Sequence, residues 1–169
     1  MKHLLALLLL AGAAQAVGAA VVDGTVSAQE YTNSKSVLSG AGTLHWAWDA
    51  KGGLTIALEA KTGGWLSVGL GTRSMTGSYM YMGYFDAKGK AVVSEQVGAE
   101  HIHSPSGTKR ADKSALKRSG GVEVLEFHVP AAHVPGKGKN VQFIVAFSDK
   151  ADLVSPHGDN YDIGSIPRP

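Results

Sequence analysis

Met75 and His157 carry the side chains whose chemistry is hardest to explain by packing alone. Met75 lies among small and polar residues in segment 71–78, directly after an apolar run. Its thioether is a soft, polarizable donor that suits haem iron or Cu(I). His157 lies far along the chain between Pro156 and Gly158, where a tight turn would project its imidazole. The first hypothesis from the sequence is therefore that these two donors bind one metal ion or one haem iron.

A second pair of imidazoles, His101 and His103, forms a His-Ile-His tripeptide. On a strand both rings would project from one side, and imidazole suits copper and zinc. Such a site needs further ligands, which the sequence does not single out, and an exposed loop is the competing interpretation. His45 and His128 fall on the polar faces of predicted strands, where we expect surface positions.

Other motifs point to packing and turns rather than to catalysis. Met80 and Met82 share one face of a predicted strand, and methionine fills irregular gaps in cores well. The chain has no Gly-x-Ser-x-Gly, no His-Glu-x-x-His and no glycine-rich phosphate loop before a helix. Most aspartates fall in predicted turns, where their side chains bond to the local backbone. We therefore predict no enzymatic centre.

The elements that must position these residues are short strands. The chain has 22 glycines, and apolar stretches alternate with turns. Residues 113–117 and 130–133 are the stretches that could hold a helical turn. Connections 49–53 and 86–90 both begin Asp-Ala-Lys-Gly and predict hairpins. The spacing predicts one all-β, antiparallel β-sandwich. Its main strands are predicted at 43–48, 54–59, 65–70, 79–85, 91–97, 122–129 and 141–147.

The amino-terminal sequence predicts export. A positively charged start, the apolar run 4–10 and Ala-Gln-Ala at 14–16 predict a signal peptide over residues 1–16, with Ala20 as an alternative cleavage point. One domain would then occupy residues 21–169. No later apolar run has the length of a transmembrane segment, so we expect a periplasmic or extracellular protein.

Composition narrows the possible partners and cofactors. Sixteen basic residues oppose fourteen acidic ones, a net charge of +2 at pH 7, which gives no electrostatic case for nucleic acid. The absence of cysteine excludes Cys-x-x-Cys-His haem attachment, iron–sulfur clusters and a thiol nucleophile. Any haem would have to be bound without covalent links to the chain.

The order of several short motifs resembles the DOMON domain in its bacterial, exported, single-domain form. The opening Val-Asp-Gly-Thr-Val-Ser-Ala-Gln-Glu-Tyr is close to the family's Val-Asp-Gly-x-Ile-x-x-x-Glu-Tyr. No single motif is specific, whereas their order and spacing together are. The matching segments are residues 22–31, 64–70, 75–77, 83–84, 103–105, 124–127, 143–147 and 157–158.

The resemblance implies an immunoglobulin-like β-sandwich related to the cytochrome domain of cellobiose dehydrogenase. Haem-binding members hold a non-covalent b-type haem at one end of the sandwich, with a methionine and a histidine as axial ligands. Met75 and His157 fall on those two positions. Such six-coordinate iron passes electrons, so the resemblance implies electron transfer with an unidentified redox partner in the cell envelope.

Two alternatives remain open at this point. One is a binding module for a carbohydrate or another small ligand, because aromatic side chains can form a stacking platform. The other is a copper or zinc site built on His101 and His103. The aromatic candidates for the first alternative are Trp46, Trp48, Trp65, Tyr79, Tyr81 and Tyr84.

Overall fold

The computed structural model of the protein describes residues 20–153 and 155–169. The predicted signal peptide over residues 1–16 lies outside them. Within the described ranges, no helix has the length and apolarity needed to cross a membrane. The described chain forms two 3₁₀ turns, Leu38–Gly40 and Ala131–His133, and eleven strands. The strands are β1 (Asn33–Val37), β2 (Gly42–Trp48), β3 (Leu54–Ala60), β4 (Trp65–Leu70), β5 (Tyr79–Phe85), β6 (Ala91–Ala99), β7 (Ile102–Pro105), β8 (Lys113–Ser119), β9 (Val122–Val129), β10 (Asn140–Ser148) and β11 (Tyr161–Pro167).

The strands form two antiparallel sheets. One has five strands in the order β1-β2-β3-β9-β8, and the other has six in the order β11-β10-β4-β5-β6-β7. Alternate residues of each strand face the opposite sheet, since side chains on a strand point to opposite faces in turn. Between the sheets, the rings of Tyr81 and Phe127 stack with centroids 3.9 Å apart. The predicted all-β antiparallel sandwich is confirmed.

The six-stranded sheet is apolar on both of its faces near its centre. On β5, Tyr79 and Tyr81 pack between the sheets, while Met80 and Met82 face outward and are still buried. On β10, Ala146 faces outward and is likewise buried. Strands covered on both sides need apolar residues at successive positions. The long connection from β10 to β11 supplies part of the outer cover, and the site described below lies there.

The two Asp-Ala-Lys-Gly hairpins are built alike. In the first, Asp49 Oδ1 accepts the N–H groups of Lys51 and Gly53 at 2.7 and 2.9 Å. In the second, Asp86 Oδ1 accepts the backbone N–H groups two and four residues later, both at 2.9 Å. An aspartate that bonds to the backbone ahead of it closes a turn locally. The prediction of two similar turns is confirmed.

Some sequence-based expectations were wrong. Residues 113–117, expected to allow a helical turn, belong to strand β8 at the edge of the five-stranded sheet. Its basic side chains suit an edge strand because charge discourages pairing with another chain. His45 and His128, expected at the surface, are only 15% and 18% exposed and pair with carboxylates. The expected helical turn near residues 130–133 is confirmed as a 3₁₀ turn.

Candidate functional site

A cavity of about 290 Å³ lies over the outer face of the six-stranded sheet. Its lining includes every metal-donor candidate that the sequence singled out: Met75, His101, His103 and His157. These residues come from three separate parts of the chain: the β4–β5 loop, the β6–β7 turn with β7, and the β10–β11 connection. The fold therefore gathers donors that are far apart in sequence.

The cavity lies on a sheet face, whereas the family resemblance implied a haem at one end of the sandwich. β4 ends at Leu70, and its antiparallel neighbour β10 ends at Ser148, beside Trp65 at the start of β4. The loop with Met75 therefore leaves one end of the sheet, and the connection with His157 leaves the other. Both fold over the outer face, and the cavity lies where they meet.

Outward-facing residues of the central strands form the floor of the cavity. Trp65, Met80, Met82 and Ala146 are buried there in a cluster separate from the core between the sheets. Met80 and Met82 pack as their position on one strand face predicts, and they also line the cavity. The sequence of β5 contains an indication of this second role, because the strand has apolar residues on both faces and the outer face therefore needs a cover or a ligand.

Met75 is positioned by a loop that lies tight against β6. The N–H of Ser78 donates to the Met75 carbonyl oxygen at 3.0 Å, and the N–H of Gly77 donates to the Gly98 carbonyl oxygen at 3.0 Å. A Cβ atom on Gly98 would lie 2.1 Å from the Met75 carbonyl oxygen. The absence of a side chain at Gly98 therefore permits this approach, and Met75 packs half-buried against the floor.

His157 is held in one tautomer. Its Nδ1 lies 2.7 Å from the carbonyl oxygen of Gly158. Because a carbonyl only accepts, Nδ1 is the donating nitrogen, so in the neutral ring Nε2 is the nitrogen with a lone pair. The ring lies edge-on to Trp65 and Tyr161, with centroid distances of 6.3 and 5.4 Å. Metal-binding histidines commonly show this arrangement, in which one nitrogen donates to a carbonyl and the other is free for the metal.

The indole of Trp65 also fixes the connection that carries His157. Its Nε1–H donates to the Ser155 carbonyl oxygen at 3.3 Å. Further along, the N–H of Asn160 donates to the His157 carbonyl oxygen at 3.0 Å. The segment that carries the imidazole is therefore held by one hydrogen bond from the sheet and by another within the segment.

His101 and His103 reach the cavity from its third side. His103 lies on strand β7, so the competing expectation of an exposed loop was wrong for this residue. Its Nδ1 is 3.4 Å from Gln96 Oε1. His101 is exposed in the turn before β7, and the N–H of Glu100 in that turn donates to Thr76 Oγ1 at 2.9 Å. Across residues 20–153 and 155–169, no three His, Cys, Asp or Glu side chains converge as a metal site would require.

A second, more open cavity of about 620 Å³ adjoins the first. The two share four lining residues: Met75, His101, Ile144 and His157. Arg73, Glu100 and Tyr161 line the outer cavity only. The inner cavity has no Asp, Glu, Lys or Arg among its described lining residues. Together they form a cleft whose inner part has no carboxylate, ammonium or guanidinium group and whose outer part has one carboxylate and one guanidinium.

Displaced pKa values mark structural anchors away from this cleft. Burial raises the pKa of Glu126, whose Oε2 accepts the N–H groups of Asp23 and Gly24, both at 2.7 Å. Burial also raises the pKa of Glu123, although Arg118 pairs with it and opposes the shift. Displaced pKa values often indicate functional sites, but ion-pair networks that support the fold produce them too. Here they belong to β9 and its contacts.

The six aromatic residues considered for a carbohydrate platform are divided between the core, the outer cluster and the surface near the carboxyl terminus. Trp46, Tyr79 and Tyr81 are buried between the sheets. Trp65 is buried in the outer cluster, and Trp48 is half-buried with the Arg168 guanidinium 5.4 Å from its ring. Trp46 and Trp48 line one shallow cavity, and Tyr84 pairs with Trp65 across β4 and β5, so the six rings form no single platform.

Comparisons with known proteins agree with the fold. No family model matches the chain, and no curated protein matches it. Among solved structures, the fold is similar to the cytochrome domain of cellobiose dehydrogenase from Myriococcum thermophilum, with a TM-score of 0.54, 14% identity and coverage of 76% of this chain and 75% of that one. It is also similar to the cytochrome b domain of pyranose dehydrogenase from Coprinopsis cinerea, with a TM-score of 0.54, 13% identity and coverage of 75% and 76%.

These similarities establish the architecture. At such low identity they do not transfer individual residues, so the roles of Met75 and His157 depend on the cavity itself. The β-sandwich fold shared with these cytochrome domains is the fold that the family resemblance had implied.

Proposed function

We propose that this protein is an exported b-type cytochrome-like domain that acts in electron transfer, with Met75 and His157 as the axial ligands of a non-covalent haem. The observation that carries the proposal is that these two donors, from loops at opposite ends of the sheet, line one cavity. The fold's similarity to two cytochrome domains supports it.

The residues around the cavity suit a haem in three respects. The floor and walls are largely apolar, as a macrocycle without covalent links requires. The Nδ1 of His157 donates to Gly158, so in the neutral ring Nε2 is the nitrogen that would bind iron. The thioether of Met75 belongs to a loop packed on Gly98. A haem held by Met75 and His157 would supply one-electron transfer.

Haem titration of the exported protein tests the axial assignment. Wild-type protein should bind one equivalent of haemin and give the sharp visible spectrum of low-spin, six-coordinate iron. Met75→Ala and His157→Ala should each lose that spectrum, because each removes one axial donor. Met80→Leu is the matched control, since it removes a cavity thioether but keeps a side chain of similar volume.

The possible outcomes separate the parts of this proposal. No haem uptake by folded wild-type protein would refute haem binding. Uptake with an unchanged spectrum in both alanine variants would refute the axial pair alone. Loss of the low-spin spectrum in Met80→Leu with its retention in Met75→Ala would refute the role of Met75 and assign the thioether ligand to Met80.

Export and the redox partner belong to the same proposal. The signal peptide predicted at residues 1–16 would direct the chain to the periplasm or the extracellular space, where a partner in the cell envelope would exchange electrons with it. Amino-terminal sequencing of the protein recovered outside the cytoplasm would distinguish cleavage after residue 16 from cleavage after Ala20. Recovery of uncleaved chain from the cytoplasm would contradict export.

A copper site is the second candidate, because His101 and His103 line the same cavity as Met75, Met80 and Met82. Thioether and imidazole donors together favour Cu(I). No group of three His, Cys, Asp or Glu side chains forms in the described residues, so thioethers would have to complete such a site. Elemental analysis of protein prepared without chelators decides between the candidates. Stoichiometric copper that is lost in His103→Ala but retained in His157→Ala would favour the copper site.

A further inference from the structure

The charges of the cleft are distributed unevenly. Among the described residues that line it, Arg73 and Glu100 are the only ones of the types Arg, Lys, Asp and Glu, and both lie in the outer cavity. The inner cavity presents thioethers, imidazoles and apolar groups. A ligand that fills the whole cleft would therefore need an apolar body and an edge that tolerates charge.

Arg73 differs from the other three arginines of the chain. The Arg110 guanidinium lies 4.1 Å from the centre of the Tyr79 ring, and Arg118 pairs with Glu123. The remaining arginine, near the carboxyl terminus, donates to two backbone carbonyl oxygens. Arg73 has neither an ion pair nor a hydrogen bond to any residue that the structure describes. Its guanidinium is thus available to a ligand.

The backbone around Arg73 is fixed by its own loop. The Thr72 hydroxyl donates to the Ser74 carbonyl oxygen at 2.6 Å, and the N–H of Ser74 donates back to Thr72 Oγ1 at 3.1 Å. Met75 follows directly. The loop therefore presents a soft donor to the shared part of the cleft and a cation to its outer part, two residues apart.

We propose that Arg73 binds the propionate groups of the haem and orients them toward the outer cavity, with the apolar part of the macrocycle inside. Glu100, on the facing turn, opposes this by repelling the carboxylates. The inference rests on the proposed haem-binding function and adds the polarity of the bound group. A guanidinium suits this role because its planar fork matches carboxylate geometry.

Removing each of the two charges should change the affinity for haem in opposite directions and by different amounts. Arg73→Gln should weaken haem binding by roughly three- to tenfold, since the side chain is exposed and water screens part of the attraction. Glu100→Gln should strengthen binding by a smaller factor. Neither substitution should change the affinity for haem dimethyl ester, in which the propionates carry no charge.

The experiment compares haemin with its dimethyl ester in each variant. Dissociation constants are measured for both compounds with wild-type protein, Arg73→Gln, Glu100→Gln and the control Lys88→Gln. Lys88 lies in the Asp86 hairpin turn, outside both cavities, and carries the same charge as Arg73. The ratio of the two constants within each variant is the readout, because a change in folding or axial ligation affects both compounds alike.

The expected result is a lower preference for haemin over the ester in Arg73→Gln, a higher one in Glu100→Gln, and the wild-type ratio in Lys88→Gln. Equal ratios in all four proteins would overturn the role of Arg73 while leaving haem binding intact. Failure of wild-type protein to bind either compound would instead overturn the proposed function. The Arg73 effect should also shrink between 50 mM and 500 mM salt, as expected for an exposed ionic contact.

Discussion

Gly98 is the residue whose substitution should most directly disturb the Met75 loop. A methyl group there would lie 2.1 Å from the Met75 carbonyl oxygen, a distance at which the loop must move. We expect Gly98→Ala to lower the free energy of unfolding by about 1–3 kcal/mol, the usual cost of overpacking. Because the loop carries Met75, the same variant should lose the low-spin haem spectrum. Urea unfolding and haem titration measure the two effects.

Gly107→Ala is the matched control for that substitution. No atom lies within 4 Å of a Cβ built on Gly107, and its φ is not in the left-handed region. It should leave stability unchanged or raise it by up to about 1 kcal/mol, because alanine lowers the conformational entropy of the unfolded chain. If Gly98→Ala proved as stable as Gly107→Ala and kept the spectrum, the tight contact with Met75 would not be what positions the loop.

The sequence identified individual donors better than it identified their surroundings. Met75 and His157 stood out because they lie in polar loops, where packing does not explain them. Arg73 did not stand out, since an exposed arginine in a loop has no pattern that distinguishes it. Its significance depends on its place in the outer cavity and on its lack of a partner among residues 20–153 and 155–169, and both are properties of the folded chain.

At the scale of elements, Glu126 on β9 explains part of the opening motif. Its carboxylate accepts the N–H groups of Asp23 and Gly24 and the hydroxyl of Tyr31. Glu126→Gln offers these donors one oxygen in place of two. It should lower the free energy of unfolding by about 1–2 kcal/mol, because a neutral amide oxygen accepts more weakly than a carboxylate oxygen. Hydrogen exchange at the amides of Asp23 and Gly24 should accelerate.

Tyr31→Phe is the comparison for Glu126→Gln, because it removes one hydrogen bond and leaves both backbone contacts. It should destabilise the protein less and leave exchange at Asp23 and Gly24 nearly unchanged. Equal exchange rates in wild type and Glu126→Gln would contradict the role of this carboxylate in anchoring the segment that precedes β1.

Strands buried on one or both faces were the predictable elements. The predicted bounds of β4, β5 and β9 agree with the structure at both ends. The strands that were missed, β1, β7, β8 and β11, all lie at sheet edges or beside them and expose many side chains. Edge strands bury little apolar surface, so their alternation is weak and turn-like residues obscure it.

At the scale of the molecule, the sandwich could be predicted, whereas the location of the site could not. Strand spacing and turn residues were enough for two antiparallel sheets. The cavity depends on the register that places Met80 and Ala146 on the outer face, and on the β10–β11 connection that folds back over them. Register and loop direction arise from contacts between distant segments, which a single sequence does not display.

The acid stability of the whole domain should depend on His128 and its two carboxylates. The imidazole lies 2.7 Å from Asp112 and 3.1 Å from Asp49, so it links the edge of the five-stranded sheet to the β2–β3 hairpin. Burial opposes ionisation of Asp112, but the hydrogen bond and charge of His128 outweigh it and hold the pKa of Asp112 below its usual value. The pKa of Asp49 is lowered too, where burial is outweighed by bonds from Gly53 and His128.

A pKa that is lower in the folded state than in the unfolded chain stabilises the fold above the unfolded value, about 3.9 for aspartate, and this stabilisation disappears as the pH falls through the folded pKa. Unfolding free energy from urea titrations should therefore decrease between about pH 5 and pH 2. Asp112→Asn should make this decrease less steep. The effect should be modest, because the Asp112 side chain is half-exposed and water screens its interaction with His128. Asp149→Asn, at an exposed position outside the described hydrogen-bond network, should keep the wild-type slope. Parallel curves for wild type and Asp112→Asn would show that the carboxylate–histidine contact contributes nothing to acid stability.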